Sequence, residues 1–86
     1  MGGEKDPREH AKEILENILK NLVDNPESIQ VTYRVGERTT VFQVQCEKGN
    51  LGQIIGAKGK HIDSLRTIML AITARQGIRS IIEIPE

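Results

Sequence analysis

Residues 53–62 read QIIGAKGKHI, and this stretch determines how the rest of the chain is interpreted. Two isoleucines lead into Gly56, Gly59 follows three positions later, and Lys58 and Lys60 flank the second glycine. Glycine adopts backbone conformations that other residues avoid, so a close pair of glycines readily interrupts helical structure. The spacing predicts a G-x-x-G loop between two helical segments.

Two common phosphate-binding motifs do not fit this loop. A P-loop ending at Gly59 and Lys60 would need glycine at position 54 and serine or threonine at position 61, where the chain has Ile54 and His61. The dinucleotide-binding fingerprint would also need glycine at position 54. The sequence therefore excludes both motifs, and a simple G-x-x-G motif remains.

The G-x-x-G loop has the properties of a binding site for phosphate groups. Gly56 and Gly59 lack Cβ atoms, so a sugar-phosphate backbone could approach the main chain closely. The helix predicted just after Gly59 would direct free N–H groups and the positive end of its dipole toward the loop. Lys58 and Lys60 would add mobile positive charges. The alternative is a tight turn between helices that merely requires glycine.

Before the loop, the sequence predicts a helix followed by a β-hairpin. Residues 6–26 place apolar side chains at a helical period, with Asp6 as the N-cap, Pro7 at the first helical position and an asparagine-proline pair as the stop. Residues 28–35 and 39–46 alternate apolar and polar side chains, which is typical of strands. The short GER connection between them favours an antiparallel pair.

After residue 46, the sequence predicts two helical segments and a last strand. EKGN at residues 47–50 predicts a turn, and LGQII is long enough for one helical turn before the loop. A longer helix is predicted from Lys60 to Gln76 with Gly77 at its C-terminal cap, and residues 78–84 alternate like a strand. The residues of the longer helix predicted to face the core are Ile62, Leu65, Ile68, Met69 and Ile72.

The predicted element order is therefore α-β-β-α-α-β, which is an α+β fold. The helices between the second and third strands form a crossover connection, which makes these two strands parallel and the connection right-handed. We predict a three-stranded mixed sheet with helices packed on one face. The opposite face is expected to be solvated or covered by a partner.

The composition is that of one small globular domain. The chain has 86 residues, of which 37% are apolar and 28% are charged. It contains no apolar run of the roughly 20 residues that would span a membrane, and the N-terminal MGGEKD lacks the apolar segment of a signal peptide. Cys46 is the single cysteine, which excludes an internal disulfide. These features predict a cytoplasmic protein with no membrane partner.

The formal net charge is zero, but the charges are unevenly distributed. Residues 1–47 contain six cationic and nine anionic side chains, whereas residues 48–79 contain six cations and only Asp63 as an anion. The G-x-x-G loop therefore lies in a locally basic segment, which favours an anionic ligand. Ordinary fluctuation of surface charge along the chain is the alternative explanation.

The string IIGAKGKHI closely resembles the signature of the KH domain, in which isoleucine precedes G-x-x-G and another isoleucine follows it. The element order resembles the bacterial, type II, form of that fold. LVDNPESIQV and LRTIM further resemble the small stand-alone bacterial KH proteins of the KhpA kind. The resemblance implies a single KH domain at residues 9–86. Residues 1–8 would then be a flexible segment or an expression remnant.

The resemblance implies a protein that binds single-stranded RNA. KH domains clamp about four nucleotides of backbone against the G-x-x-G loop. An adjacent apolar groove would hold the bases between the isoleucines around the loop and the last strand. The residues implied in RNA binding are Ile54, Ile55, Gly56, Ala57, Lys58, Gly59, Lys60, His61, Ile62, Arg66 and Arg79.

Several of these assignments have simpler alternatives. His61 would contact phosphate or a base, or would be a solvated residue in the first helical turn. Arg66 and Arg75 would flank the RNA or belong to a solvated helix face. The two aromatic residues, Tyr33 and Phe42, lie in the hairpin, where packing is the expected role. Binding without aromatic stacking is expected to be weak and loosely selective.

The resemblance further implies a cytoplasmic RNA chaperone or post-transcriptional regulator, acting with a second KH protein or as a homodimer. We expect no catalytic activity, no cofactor and no metal, because no nucleophile–base pair, carboxylate pair or Cys/His cluster can be identified. The alternative function is a protein-interaction module that retains the KH fold. Such a module would bind a protein through its open sheet face or its first helix.

Overall fold

The computed structural model of the protein describes residues 6–85. The elements in chain order are α1 (Pro7–Lys20), a 3-10 turn (Pro26–Ser28), β1 (Gln30–Val35), β2 (Thr39–Gln45), α2 (Lys48–Ile55), a second 3-10 turn (Ala57–Gly59), α3 (Lys60–Ala74) and β3 (Arg79–Glu83). The predicted order α-β-β-α-α-β is confirmed.

The three strands form one mixed sheet in the order β1-β2-β3. Strand β1 pairs antiparallel with β2, with Tyr33 opposite Phe42, and β2 pairs parallel with β3, with Thr39 opposite Arg79. The crossover from β2 to β3 runs through α2 and α3, as predicted. The predicted α+β class with a three-stranded mixed sheet is confirmed.

The helices pack on one face of the sheet, and the core lies between the two layers. Alternation along the strands directs Phe42, Val44 and Ile82 toward the helices, and all three are almost fully buried. On the opposite face, Arg34 and Ile81 are exposed. The buried apolar residues are Ala11, Leu15, Leu19, Ile29, Val31, Phe42, Val44, Ile54, Ile62, Leu65, Met69 and Ile82. This one-sided core holds both helices that flank the G-x-x-G loop.

Helix α1 begins where the sequence predicts but ends earlier. The Asp6 carboxylate accepts a hydrogen bond of 2.7 Å from a backbone N–H of the first turn, and Pro7 is the first helical residue. The helix ends at Lys20, whereas the apolar pattern predicted that it continues to the asparagine-proline pair. Leu22 and Val23 still pack against the core. The apolar period therefore extends past the helix because these residues reach the core from a turn.

Helix α2 is longer than predicted, because the EKGN segment is not a turn. The helix begins at Lys48, in the middle of that segment. The Asn50 side chain is buried, and its amide donates hydrogen bonds to the Asn25 carbonyl at 2.9 Å and to Ser28 Oγ at 2.7 Å. This tertiary anchoring outweighs the local turn preference of glycine and asparagine.

Helix α3 faces the core with most of the predicted residues. Leu65 and Met69 are buried, but Ile68 is 47% exposed, so its prediction as a core residue is wrong. At about 100° per residue, Ile68 points to the flank of the helix rather than to the sheet. Thr73 is buried on the core side, where its hydroxyl lies 2.9 Å from Ser80 Oγ.

Gly77 caps the C-terminal end of α3, as predicted. Gly77 has a φ of +72°, and its N–H donates to the Ala74 carbonyl at 3.0 Å. The N–H of Ile78 donates to the Thr73 carbonyl, also at 3.0 Å. These paired hydrogen bonds form a Schellman cap, which needs a left-handed residue at this position. The cap turns the chain directly into β3.

The predicted N-terminal segment of residues 1–8 is described only in part. Residues 1–5 lie outside the described residues, and Pro7 and Arg8 belong to α1. Within residues 6–85, none of the helices combines the length and the apolar character needed to cross a membrane.

Candidate nucleic-acid interface

The G-x-x-G loop is a tight turn with unusual backbone conformations. Gly56 has a φ of 76° and a ψ of 170°, a region that is essentially restricted to glycine. Lys58 (φ 57°) and Gly59 (φ 75°) are both left-handed. A left-handed conformation costs a residue with a Cβ atom roughly 1–2 kcal/mol. The strained backbone at Lys58 is therefore maintained by the surrounding loop.

His61 packs directly against Gly56. A Cβ atom on Gly56 would lie 2.5 Å from Cγ of the His61 ring. His61 Nδ1 lies 2.7 Å from the Gln53 carbonyl oxygen, which can only accept, so the ring nitrogen is the donor. The side chain therefore links the first turn of α3 to the last turn of α2. Neither sequence interpretation of His61 included this link, because it depends on the direction of the ring.

The outer side of the loop is open to solvent. Ala57, Lys58 and Lys60 are exposed, and the two glycines are partly exposed. A Cβ atom on Gly59 would approach other atoms no closer than 4.0 Å. A phosphate group can therefore reach the main chain of the loop without displacing any other part of the described structure.

The loop presents main-chain donors at the start of a helix. The first hydrogen bond of the 3-10 turn joins the Gly59 N–H to the Gly56 carbonyl at 3.0 Å. The N–H groups of Ala57 and Lys58 precede this bond, so they have no partner within the turn. Helix α3 begins at Lys60, which places the positive end of its dipole at the same point. The arrangement suits an anion.

Ile54 and Ile62 do not line an open groove, contrary to the prediction. Ile54 has no exposed surface and Ile62 is 5% exposed, because both side chains face the core. They fix the end of α2 and the start of α3, and thereby the two ends of the loop. Ile55 is half-buried and packs at the edge of the core. The motif specifies these residue types but not the direction of their side chains.

An open apolar groove runs instead between α3 and β3. It contains a cavity of about 120 Å³ lined by Arg66, Met69, Leu70, Ser80, Ile81 and Ile82. Leu70 and Ile81 are each 50% exposed. Leu70 borders the groove from α3, and Ile81 borders it at the edge strand, where its side chain alternates toward the outer face of the sheet. The sequence analysis placed the last strand along this groove, but it named neither Leu70 nor Ile81 as a binding residue. The available signals were that Leu70 follows Arg66 by one helical turn and that Ile81 alternates outward on the last strand.

Arg66 lies across this groove. Its Nη2 lies 3.4 Å from the Ile82 carbonyl oxygen, and its Nη1 lies 3.9 Å from Asp63 Oδ1. Both distances are long for a hydrogen bond, and an exposed ion pair contributes little stability. The guanidinium can therefore turn toward an anionic ligand at small cost.

Arg79 lies at the opposite end of the molecule from the loop. It is the first residue of β3 and pairs with Thr39 beside the β1–β2 turn. Between the loop and this end runs α3, whose 15 residues give a length of about 22 Å at 1.5 Å per residue. Arg79 therefore lies too far from Lys58 and Lys60 to bind the same phosphate group, and its predicted place is the far end of the groove wall formed by β3.

Two side chains outside the loop have a raised pKa. Burial raises the pKa of the Cys46 thiol, and the neighbouring Glu47 carboxylate adds to the effect. A hydrogen bond to Glu9 raises the pKa of Lys12. Among the side chains that the structure describes, no group of three or more histidine, cysteine, aspartate or glutamate residues is placed to hold a metal ion.

The chain matches the sequence profile described as "KhpA/KhpB, KH domain" over residues 12–84. The "RNA-binding protein KhpA" of Chlamydia trachomatis serovar D is 36% identical over 75 residues, which is 87% of this chain and 96% of the relative. The protein of the same name from Aquifex aeolicus is 40% identical over 75 residues, covering 87% of this chain and 95% of the relative. The protein of the same name from Streptomyces coelicolor is 40% identical over 68 residues, which is 79% of this chain and 85% of the relative.

A crystal structure of an Era variant from Aquifex aeolicus, bound to GDP and aluminium fluoride, is similar with a TM-score of 0.64 and 22% identity. The similarity covers 98% of this chain and 32% of that one, so this chain spans about a third of the Era protein. At this identity the likeness concerns the fold alone. The element order α-β-β-α-α-β is that of the type II KH fold. The profile match over residues 12–84 and the relatives at 36% and 40% identity show that the chain belongs to the KhpA/KhpB KH-domain family.

Proposed function

We propose that the protein binds single-stranded RNA, with phosphate groups at the G-x-x-G loop and bases in the groove between α3 and β3. The observation that carries the proposal is the exposed, glycine-dependent main chain of residues 56–59, directly before the first turn of α3. Relatives from three bacteria carry the name RNA-binding protein. Their family is not an enzymatic one, which supports binding rather than catalysis.

Phosphate binding in this proposal depends on main-chain donors. The N–H groups of Ala57 and Lys58 have no partner within the 3-10 turn, and the positive end of the α3 dipole begins directly after that turn. Because these donors belong to the main chain, they interact with the backbone of any nucleotide. Lys58 and Lys60 attract the strand and contribute to affinity without selecting a base.

Base binding in this proposal depends on the groove. Leu70 and Ile81 offer apolar contact to the bases. Strand β3 is an edge strand, so its outward main-chain N–H and C=O groups are available to base edges. Tyr33 and Phe42 pack against each other in the hairpin, with ring centroids 6.1 Å apart. Without aromatic stacking in the groove, we expect weak and loosely selective binding.

The test replaces the loop with two carboxylates, Ala57→Asp together with Lys58→Asp. Aspartate tolerates a left-handed backbone better than most residues, so we expect the far-ultraviolet circular dichroism spectrum to stay unchanged. Fluorescence anisotropy with a labelled mixed-sequence pool of single-stranded RNA should show binding weakened by at least about tenfold, since carboxylates repel phosphate.

A matched control places the same charge change on α1, by Asn17→Asp together with Lys20→Asp. Both residues are exposed, and neither of them lines the groove. We expect this variant to bind RNA nearly as well as the wild type. Equal affinities for the loop variant and the control variant would contradict phosphate binding at the loop.

We further propose that this binding serves a cytoplasmic RNA chaperone or post-transcriptional regulator. Weak contacts to the strand backbone would let one protein exchange among many transcripts. Competition experiments should then show that unlabelled RNAs of unrelated sequence displace the labelled pool with similar efficiency. Displacement by one sequence alone would contradict this role.

A second candidate function is binding to another KH domain, from a second copy of the chain or from a different KH protein. Ile68 is 47% exposed on the flank of α3 that faces away from Leu70 and the groove. A protein contact on this flank would bury the apolar surface that Ile68 leaves exposed. Sedimentation equilibrium should show concentration-dependent association that Ile68→Ser abolishes, whereas a monomer at all concentrations would contradict self-association.

A further inference from the structure

A second cluster of cations surrounds a pocket at the end of the molecule opposite the loop. The pocket has a volume of about 460 Å³ and lies between the start of α1, the β1–β2 turn and the connection from α3 to β3. One arginine from each of these segments lines it, namely Arg8, Arg38 and Arg79. The three residues are far apart in the sequence, so only the folded chain brings them together.

The side chains of the pocket differ in how firmly they are held. Arg8 is half-buried, and its Nε donates a hydrogen bond of 2.9 Å to Thr40 Oγ1. Arg38 and Arg79 are exposed, and neither forms an ion pair with another described residue. One arginine is thus fixed in position, while the other two are free to turn toward a ligand.

Two carboxylates lie near the arginines and reduce the positive charge of the pocket. Glu37 lines the pocket, and Asp6 Oδ1 lies 3.7 Å from Nη1 of Arg8. Among the described residues, three cationic side chains here still outnumber two anionic ones. The pocket therefore favours an anion with several oxygen atoms, because planar guanidinium groups donate paired hydrogen bonds to phosphate.

The groove between α3 and β3 leads to this pocket. Ser80 and Ile81 line the groove, and Arg79, the preceding residue of β3, lines the pocket. A strand that leaves the loop and follows β3 toward its first residue therefore arrives at the arginines. The loop and groove clamp about four nucleotides in a KH domain, so nucleotides beyond that stretch are the ones that would reach the pocket.

We propose that the pocket lined by Arg8, Arg38 and Arg79 binds the phosphates of a single-stranded RNA where the strand leaves the groove. The proposal rests on the proposed RNA-binding function, and it extends the contact beyond the loop and groove. It assigns Arg79 to this pocket, together with Arg8 and Arg38, rather than to the groove beside the loop. It also gives a reason for two exposed arginines in one pocket that form no ion pair within residues 6–85.

The test compares mixed-sequence RNA pools of two lengths, about five and about twelve nucleotides, because a KH domain clamps about four. The variant Arg38→Ser with Arg79→Ser should bind the short pool like the wild type and the long pool about tenfold more weakly. With the long pool, the log–log salt slope should become shallower by about 1.4, at about 0.7 per lost cation for single strands.

A control variant, Lys20→Ser with Lys48→Ser, removes the same number of cations from exposed positions elsewhere on the domain. It should bind both pools like the wild type. Equal weakening of the arginine variant with both pools, or no weakening with either, would overturn the pocket proposal and leave the loop proposal intact. Failure of the wild type to bind either pool would overturn both.

A substitution that is expected to strengthen RNA binding separates an effect on the pocket from damage to the fold. Glu37→Gln removes a carboxylate from the pocket lining, so we expect the long pool to bind about threefold more tightly and the short pool to bind unchanged. An equal gain with both pools, or no gain with the long pool, would contradict phosphate binding in the pocket.

Discussion

At the scale of single residues, the two glycines of the loop are needed for different reasons. Gly56 combines φ 76° and ψ 170° with the His61 ring in van der Waals contact. Gly59 has φ 75° and ψ 15°, and open space surrounds the position of its missing Cβ. The first glycine is required by its backbone and by a contact, whereas the second is required by its backbone alone.

We therefore expect unequal effects of substitution at the two glycines. Gly56→Ala should lower the free energy of unfolding by at least about 2 kcal/mol, because the residue is strained and its Cβ meets the His61 ring. Gly59→Asn should lower it by less than about 1 kcal/mol, because asparagine tolerates the left-handed region. Urea unfolding followed by circular dichroism measures both values. Similar losses for the two variants would contradict this explanation.

The contact between Gly56 and His61 predicts coupling between them. In a double-mutant cycle with Gly56→Ala and His61→Ala, removing the ring makes room for the new Cβ. The double variant should then lose at least about 0.5 kcal/mol less stability than the two single losses added together. Additive losses would show that the ring does not press on this position.

Sequence reasoning identified the residues of the loop but not their contacts. The glycine spacing was sufficient to predict a loop between two helices, and together with the neighbouring lysines it led to the proposal of an anion site there. The same pattern could not reveal that His61 bonds the Gln53 carbonyl, because the direction of a ring depends on the packed neighbours. It also could not show that Ile54 and Ile62 point into the core.

At the scale of elements, helix α2 depends on a buried side chain. The Asn50 amide bonds the Asn25 carbonyl and Ser28 Oγ, and Glu47 accepts from the Asn25 amide at 2.9 Å. These hydrogen bonds tie the start of α2 to the turn before β1. Since α2 ends at the loop, the anchoring also positions the proposed phosphate site.

We expect Asn50→Ala to lower the free energy of unfolding by about 1–3 kcal/mol, because it leaves buried hydrogen-bonding groups without a partner. Asn17→Ala is the control, since Asn17 is exposed in the middle of α1 and should change stability by less than about 0.5 kcal/mol. Urea midpoints of the two variants provide the measurement. A loss at Asn50 no larger than that at Asn17 would contradict the anchoring role.

Elements with a clear apolar period were predicted well, and those defined by tertiary contacts were not. The hairpin, the start of α1 and the cap at Gly77 follow local rules that act along the chain. The start of α2 at Lys48 does not, because an asparagine that prefers turns is buried there by distant partners. Ile68 was wrongly predicted to face the core, because an apolar residue beside the buried residues of a helix cannot be told from them by sequence.

At the scale of the whole molecule, the fold organises charges that sum to zero. Lys58 and Lys60 lie at the loop and the start of α3, Arg66 lines the groove, and Arg79 lies at the far end of β3 from the loop. The element order and the crossover rule were enough to predict the sheet and its parallel pair. They did not predict which cations share a site, because that depends on where the ends of α3 and β3 lie.

The distribution of these cations predicts the salt dependence of binding. Three or four cations near phosphate should give a log–log slope of the binding constant against salt of roughly −2 to −3 for single strands. Anisotropy titrations over a range of potassium chloride concentrations measure the slope. An affinity that does not change with salt would contradict a phosphate contact, whatever the net charge of the protein.

The most direct measurement follows backbone amide signals by nuclear magnetic resonance while a short single-stranded RNA is added. Binding at the loop predicts that the largest shifts occur at residues 56–60, with further shifts along Ser80–Ile82, and that Thr32 and Arg34 on the outer sheet face stay unchanged. If the RNA is bound and the amides of residues 56–60 do not move, the G-x-x-G loop is not the phosphate site.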